Sequence, residues 1–322
     1  MEDNKFSQIE KSILKTICWY DIFDYPLTAE EIWRWLYIDK EEKDFKKDLN
    51  DVLEVLEMSE KLKNIIEEDE GYYFLKGRRE IVETRKERRD YDKKKWEKAK
   101  TAVNYLKMAP FVNYIAVCNN LALDNAKKES DIDFFIVTEP GHLFTARFFV
   151  TWLVHMLGLR RYKDKIKNKI CLSFYLSSEA LDFKPLLLQD KDPYFTFWVD
   201  QLTPLYDAAN FHKKIQKENK WVKEFLPNAF LSENKKIIKK DSLTSLVKSV
   251  FETLFLIPNL GPWLNNFIRD GQRKKMEKNK NSVMYQDNNK VVISDSVLKF
   301  HENDRREEYR KRFYDKIKGL FE

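Results

Sequence analysis

The chain has 322 residues, of which 43% are apolar and 14% aromatic, so it can bury a substantial core and is not a disordered protein. Its seven glycines give neither the G-x-G-x-x-G nor the G-x-x-x-x-G-K-[ST] phosphate loop, which disfavours Rossmann-type and Walker-type nucleotide binding. The four histidines form no H-E-x-x-H pattern, and the three cysteines form no C-x-x-C pair. These counts argue against a zinc hydrolase and favour a reducing compartment.

The longest uncharged run extends from Thr253 to Ile268 and is interrupted by Pro258, Gly261 and Pro262. Its 16 residues are too few to cross a bilayer as a helix. The polar start of the chain has no signal-peptide character. We therefore expect a soluble, cytoplasmic protein that makes no membrane contact.

The net charge of +6 conceals a division of the chain. Residues 1–76 hold 11 Lys+Arg and 20 Asp+Glu, a net −9, whereas the remaining residues hold 48 and 33, a net +15. A shift of this size predicts a domain boundary near Gly77.

The acidic segment, residues 1–77, predicts three helices followed by a β-hairpin, which is the order of a winged helix. The predicted elements are a helix around residues 9–17, a second helix capped by Thr28 and Glu31, a third from about Asp44 to Leu56, and strands at 62–66 and 72–75. Residues 41–60 hold the presumed recognition helix with eight acids and three lysines, and this charge would repel a phosphate backbone. A structural or protein-contacting role is therefore favoured over DNA binding.

Residues 78–108 predict one long basic linker helix. It has two interpretations: a solvated connecting helix that packs through residues such as Trp96 and Val103, or a basic rail for nucleic acid. Acidic residues interleaved with the basic ones favour the connecting helix.

Two carboxylates carry the strongest chemical signal. An apolar strand from Val112 to Cys118 is followed by a turn, a short helix and a second apolar strand that contains Asp131 and Asp133. Acids two apart on a strand share one face, where they repel each other unless a cation lies between them. A hard divalent ion such as Mg²⁺ is the usual solution.

The segment from Val117 to Leu123, followed by Ser130-Asp131-Ile132-Asp133, resembles the signature of the nucleotidyltransferase (DNA polymerase β-like) superfamily. The resemblance implies that Asp131 and Asp133 are the catalytic, metal-binding acids. It also implies that Asn119, Asn120 and Ser130 contact the triphosphate of a bound nucleoside triphosphate (NTP). The fold class implied is α+β, with a mixed-sheet nucleotidyltransferase-like domain at 109–210 and a mainly helical extension at 211–322.

The wider chain is similar to uncharacterised bacterial proteins that place a winged helix before this domain. The shared stretches are Ile170–Phe174, Asn219–Trp221, Leu226–Ala229, Lys299–His301 and Asp304–Arg306.

The chain departs from the superfamily pattern at three places. Asn119 and Asn120 replace the usual Gly-Ser, Asp124 replaces a second glycine, and the strand from Ile170 to Leu176 lacks the third carboxylate, with Ser173 in its place. Two interpretations stay open. The preferred one is Mg²⁺-dependent transfer of a nucleotidyl group from an NTP to an RNA or protein acceptor. The alternative is a catalytically degenerate fold that binds nucleotide or RNA, or acts as a scaffold.

Further basic and aromatic residues have two interpretations each. Arg147, on a predicted helix at 143–157, could steady phosphates or lie on the surface, and aromatic residues of that helix, including Phe148 and Trp152, are expected in the core. The cluster Lys299, His301, Arg305 and Arg306 would suit RNA or another polyanion, or belong to a solvated tail helix. The basic run from Arg273 to Lys280 predicts a loop.

Overall fold

The structure, a computed structural model, describes residues 6–41, 45, 47–162, 165–231, 237–239, 241–277, 291–300 and 304–321. The N-terminal acidic part contains four helices and a two-stranded antiparallel hairpin. These elements are α1 (Gln8–Asp21), α2 (Ala29–Arg34), α3 (Leu49–Met58), α4 (Glu60–Lys63), β1 (Ile66–Asp69) and β2 (Tyr72–Leu75).

The longer basic part is built on a six-stranded mixed sheet, which confirms the α+β class. Its elements are α5 (Glu80–Leu106), β3 (Val112–Cys118), α6 (Asn119–Ala122), β4 (Ile132–Thr138), α7 (Leu143–Met156), β5 (Ile170–Ser177), α8 (Pro193–Asp200), β6 (Thr203–Asp207), α9 (Phe211–Glu218), α10 (Ser242–Leu256), α11 (Leu260–Glu277), β7 (Val291–Ile293), β8 (Val297–Phe300) and α12 (Arg306–Phe321). The strand order is β6-β3-β4-β5-β8-β7, in which β4 and β5 are parallel and the other pairs antiparallel. The region predicted as a mainly helical extension therefore also supplies β7 and β8.

Hydrophobic cores cover both faces of this sheet. On β4, Phe135 and Val137 belong to a core shared with α1, α8 and α12, whereas Phe134 and Ile136 belong to a core shared with α5 and α7. This alternation follows from the period of two along a strand. The acidic part thus packs on one face of the sheet through a continuous apolar core, although its charge differs sharply from that of the rest.

The N-terminal prediction is right in its helices and wrong in one strand. Ser7 and Thr28 close capping boxes on α1 and α2, as Thr28 was expected to do. The strand predicted at 62–66 is strand only at Ile66, because Leu62 and Lys63 end a short helix capped by Ser59 and a turn follows it. The predicted start of the third helix, Asp44, lies outside the described residues, and α3 begins at Leu49 behind the capping Asp48.

The linker helix forms as one element, α5, and several of its basic residues face inward. The guanidinium of Arg85 makes two hydrogen bonds of 2.7 Å to Glu31 and lies 4.1 Å from the ring centroid of Tyr25. Arg88 donates to Asn125 at 2.7 Å. These buried cations fasten the acidic part to the sheet, in keeping with the connecting-helix interpretation.

The basic run predicted as a loop is helical where the structure describes it. Residues 273–277 end α11, and Lys278 to Lys280 lie outside the described residues. Within the described chain, each helix taken alone is too short or too polar to cross a membrane. Helices α10 and α11 meet the length and composition criteria only as a pair, bent by 98°.

Candidate functional site

The site begins where β3 ends. Cys118 is paired with Asp133 across the antiparallel β3–β4 ladder, and Asn119 follows in the left-handed conformation with φ of 58°. Asparagine tolerates this conformation better than most residues. The turn predicted at this position therefore forms without glycine, and it sets the Asn119 side chain beside the carboxylate of Asp133.

Asn119 is held between two partners. Its Oδ1 accepts a hydrogen bond of 3.4 Å from the Tyr194 hydroxyl, and its side chain lies beside Asp133, where it partly offsets the rise that burial causes in the pKa of that carboxyl. With Oδ1 accepting from Tyr194, the amide group of Asn119 is available to donate to Asp133. Asn119 thus orients one of the two acids.

Asp131, Asp133 and Cys171 form a group that could hold a metal ion. One carboxylate oxygen from each aspartate and the Cys171 sulfur lie within 4.8 Å of one another, and all three residues are partly buried. Parallel pairing of β4 with β5 sets Cys171 opposite Asp133. The sequence-predicted acids therefore come together, and the strand predicted to lack a third carboxylate contributes a thiol.

The carboxylates fit a hard cation better than the thiol does. Burial and the nearby negative charge of Asp133 raise the pKa of the Cys171 thiol to about 12, so it stays protonated near neutral pH. A neutral thiol is a poor ligand for Mg²⁺, which prefers oxygen. The residues fit Mg²⁺ held by Asp131 and Asp133, with Cys171 as a neighbour and water or phosphate oxygens completing the shell.

The surroundings of Asp133 raise the pKa of its carboxyl. Burial and then the charge of Asp131 raise the pKa of the Asp133 carboxyl from 3.8 to about 6, against the lowering effects of Asn119, Cys171 and Arg161. Two neighbouring carboxylates repel each other when both are ionised, and a divalent cation bound to both relieves this repulsion.

Arg161 is a site residue that the sequence interpretation missed. Its Nη1 lies 2.6 Å from Oδ2 of Asp131 and also donates to the Cys171 sulfur at 3.7 Å. The segments entering β4 and β5 lie at the same edge of the sheet because the two strands are parallel. The sequence did contain a signal for this contact: the segment before β5 is basic, and the segment before β4 carries the S-D-x-D acids.

Lys95 of α5 anchors the segment that leads to Asp131. Its Nζ donates to the backbone oxygen of Ser130 at 2.7 Å and to Oδ1 of Asn168 at 2.8 Å. The Ser130 hydroxyl donates to the Lys127 carbonyl at 2.9 Å, so Ser130 takes part through its backbone. Burial lowers the pKa of this ammonium.

Among the described residues, Asn120 and Arg147 make no hydrogen bond to the acids. Asn120 is exposed and lines a small cavity of about 30 Å³ beside Trp19. Arg147 belongs to α7 on the opposite face of the sheet, where Nη1 donates to Gln272 at 2.5 Å and the guanidinium lies 5.2 Å from the Phe300 ring centroid. Helix α7 connects the parallel strands β4 and β5, so it packs over one face of the sheet only. That face is opposite to the face on which Asp133 lies.

A cavity of about 200 Å³ opens beside Asn119. Its lining combines aromatic rings with three cations: Asn119, Phe174, Tyr194, Phe195, Trp198, Lys299, Asp304, Arg305, Arg306 and Tyr309. The Tyr194 and Tyr309 rings are stacked with centroids 5.5 Å apart. The basic cluster predicted near the C-terminus therefore lines the same cavity as Asn119, except for His301, which lies outside the described residues.

The cations of this cavity differ in their environments. Lys299 and Arg306 are buried, paired with Asp304 at 3.2 and 2.7 Å, and burial and the charge of Arg306 lower the pKa of Lys299 to about 8. Arg305 is exposed and pairs with Glu308 at 2.6 Å. An exposed pair of this kind contributes little to stability, so Arg305 can exchange its partner for a ligand at little cost.

Comparisons with known proteins give no relative for this chain. No protein-family model, no curated protein and no solved structure matches it.

Proposed function

We propose that this chain is a nucleotidyltransferase-like protein with an N-terminal winged helix, and that it binds Mg²⁺ with a nucleoside triphosphate and transfers a nucleotidyl group to an RNA or protein acceptor. One observation carries the proposal: Asn119 lies beside Asp133 of the acidic pair, close enough to act on the pKa of its carboxyl, and also lines the cavity that holds Arg305. Asn119 therefore connects the proposed divalent-cation site with a pocket in which Arg305 can exchange its partner for a ligand.

The proposed roles follow from the contacts. Asp131 and Asp133 hold the ion, Asn119 orients Asp133, and Arg305 leaves Glu308 to meet a phosphate. When bound, Mg²⁺ would neutralise charge on the phosphates during an in-line displacement. Arg161 balances Asp131 in the absence of a cation and is free to contact phosphate once the cation replaces it.

A second candidate, nucleotide binding without transfer, is favoured by the residue opposite Asp133. Superfamily members often use a third carboxylate to act on the attacking hydroxyl, whereas β5 presents Cys171, whose pKa burial raises to about 12, and Ser173. Neither a protonated thiol nor a serine hydroxyl is a strong base at neutral pH. Under this candidate the acids and Arg305 bind the same ligand, and the acceptor hydroxyl is never activated.

The two candidates are separated by label transfer and binding measured together. The parent protein is incubated with α-labelled NTPs, Mg²⁺ and either total RNA or cell protein, alongside Asp131→Asn/Asp133→Asn. Transfer by the parent alone supports the transferase. Binding of Mg²⁺–NTP by the parent alone, without transfer, supports the binder, and binding by neither protein overturns both. Glu129→Gln removes an exposed acid two residues from Asp131 and is the matched control.

The partner of the acidic part follows from its charge. Residues 1–76 carry a net −9, which opposes nucleic acid and suits a basic protein surface. We therefore assign a protein partner to the winged helix and an RNA or other polyanionic partner to the basic body.

A further inference from the structure

The helices on the far side of the sheet expose an unusual number of apolar side chains. Of the 17 large apolar residues that are exposed in the described chain, 12 lie on α7, on α10, on α11 or at the corner between the last two, with exposures between 40% and 73%. We call these 12 the apolar face: Phe148, Trp152, Met156, Leu243, Leu246, Val250, Leu254, Leu256, Ile257, Leu260, Trp263 and Phe267. Soluble monomers rarely expose a contiguous apolar patch of large size.

The apolar face consists of helical stripes. Leu243, Leu246, Val250 and Leu254 recur at intervals of three and four on α10, whereas Phe255 of the same helix is buried in the sheet core. Both sides of α10 are therefore apolar. A helix that packs on the protein with one side and faces water with the other is normally polar on its outer side. The stripe on α11 contains Trp263 and Phe267, whose rings stack with centroids 5.6 Å apart.

The corner between α10 and α11 is fixed by the chain. A Cβ at Gly261 would overlap the carbonyl oxygen of Phe255, so only glycine allows the two helices to approach so closely. Asn265 then joins α11 to the start of α7, accepting from Thr145 at 2.6 Å and donating to the Gly141 carbonyl at 2.9 Å. The three stripes are held together as one surface on the folded protein, and Leu256 and Ile257 project from its corner.

The charge around the apolar face is positive. The three helices that carry it, α7, α10 and α11, together hold 6 Lys+Arg and 3 Asp+Glu. Lys274 and Lys275 are exposed on the last turns of α11, and Arg160 is exposed just after α7. Aromatic and aliphatic residues rimmed by Lys and Arg are typical of helices that lie in the interface of an anionic membrane.

We propose that the apolar face docks this protein on an anionic lipid surface, with α10 and α11 lying in the interface. A second copy is a poorer occupant, because self-association would bring two positive segments together. The sequence predicted no membrane contact because its uncharged run is too short to span a bilayer, but a helix lying in the interface needs no span. This proposal is independent of nucleotide binding.

The test is flotation of the full chain with vesicles of phosphatidylcholine, with and without phosphatidylglycerol, at low and high salt. We expect binding that requires phosphatidylglycerol and falls with salt. Trp263→Ser/Phe267→Ser should weaken binding about tenfold or more, because it removes two exposed aromatic side chains that the lipid interface would bury. The control Met58→Ser/Leu231→Ser removes two equally exposed apolar residues elsewhere and should bind as the parent does.

Two further measurements keep the proposal open to refutation. Circular dichroism checks that both double variants are folded, and brominated lipids should quench tryptophan fluorescence less in Trp263→Phe than in the parent. Failure of the parent to float with anionic vesicles would overturn the proposal. Unchanged vesicle binding of Trp263→Ser/Phe267→Ser would also overturn it. The same holds if light scattering shows that the parent is a dimer without lipid binding and that this variant abolishes the dimer.

Discussion

Arg161 forms an ion pair with Asp131, the first acid of the S-D-I-D segment, across 2.6 Å. The arginine comes from the segment before β5 and the acid from the segment before β4, so the pair exists because those strands are parallel neighbours. It supplies one positive charge to a site with two carboxylates. Burial and then the charge of Asp131 keep the pKa of Asp133 raised, and a divalent cation would satisfy both acids at once.

Replacing Arg161 by Gln should make the thermal stability of the protein depend more strongly on a divalent cation. The Arg161 side chain is partly exposed, so the loss of its pair alone should cost only about 0–1 kcal/mol of unfolding free energy. We expect Mg²⁺ to raise the melting temperature of Arg161→Gln by more than that of the parent. Thermal unfolding with and without Mg²⁺ measures this, and Lys167→Gln, which breaks the exposed pair with Glu129, is the control. An equal response to Mg²⁺ in all three proteins would contradict the assignment.

The raised pKa of Asp133 predicts a pH dependence of stability. The folded protein binds this proton more tightly than the unfolded chain, so the stabilisation is fully present below about pH 4 and is lost as the pH rises through about 6. The free energy of unfolding of Asp133→Asn should therefore exceed that of the parent by about 3 kcal/mol at pH 7 and be nearly the same at pH 4. Urea unfolding across this range tests it, with Glu129→Gln as the control. A stability difference that does not change with pH would refute it.

Cys171 should not be a ligand of Mg²⁺. Burial keeps its pKa near 12, so the thiol is protonated, and replacing it by serine should change the Mg²⁺ affinity by less than about twofold. Zinc should respond differently, because a thiol that loses its proton to a soft ion becomes a strong ligand, and Cys171→Ser removes it. Titration of both metals into the parent and the variant decides the question. A large loss of Mg²⁺ binding in Cys171→Ser would show that the sulfur ligates.

The sequence predicted what depends on local patterns. The bounds of β3 and the turn at Asn119 follow from an apolar run and from turn chemistry, and both are found. Asp131 was expected on the same strand as Asp133, but β4 begins at Ile132, so the two acids come together at the start of the strand rather than along it. The first hairpin strand was misplaced because Ser59, a helix cap, precedes residues that are also acceptable in a strand.

The contacts that the sequence could not predict are long-range. Arg161 reaches Asp131, and Lys95 reaches Ser130, across 30 and 35 residues of chain. Arg147 was placed near the phosphates by its position after β4, but the face on which α7 packs is decided by tertiary structure. Phe148 and Trp152 were expected in the core because they are apolar, and they are exposed because that side of α7 has no partner in the described chain.

Lys95 should control the order of the segment before Asp131. Replacing it by Met leaves the carbonyl of Ser130 and Oδ1 of Asn168 without their ammonium donor, at a cost of about 1–3 kcal/mol. We expect faster amide hydrogen exchange in residues 128–131 and 166–169 and weaker binding of Mg²⁺–NTP, while the rest of the protein keeps its protection. Lys98→Met alters an exposed lysine of the same helix and should change neither. Unaltered exchange in Lys95→Met would remove Lys95 from the site.

Arg305 offers the sharpest test of the cavity, because α12 provides a matched control. Arg305 and Arg312 both pair with Glu308, at 2.6 and 3.9 Å, but Arg305 lines the cavity beside Asn119 and Arg312 is on the next turns of the helix. If Arg305 meets a phosphate, Arg305→Gln should weaken NTP binding about tenfold, the effect of losing one charge-assisted hydrogen bond of about 1.5 kcal/mol. Arg312→Gln should bind as the parent does. Equal losses in the two variants would mean that only the net charge of the helix matters and that the cavity is not where the phosphates bind.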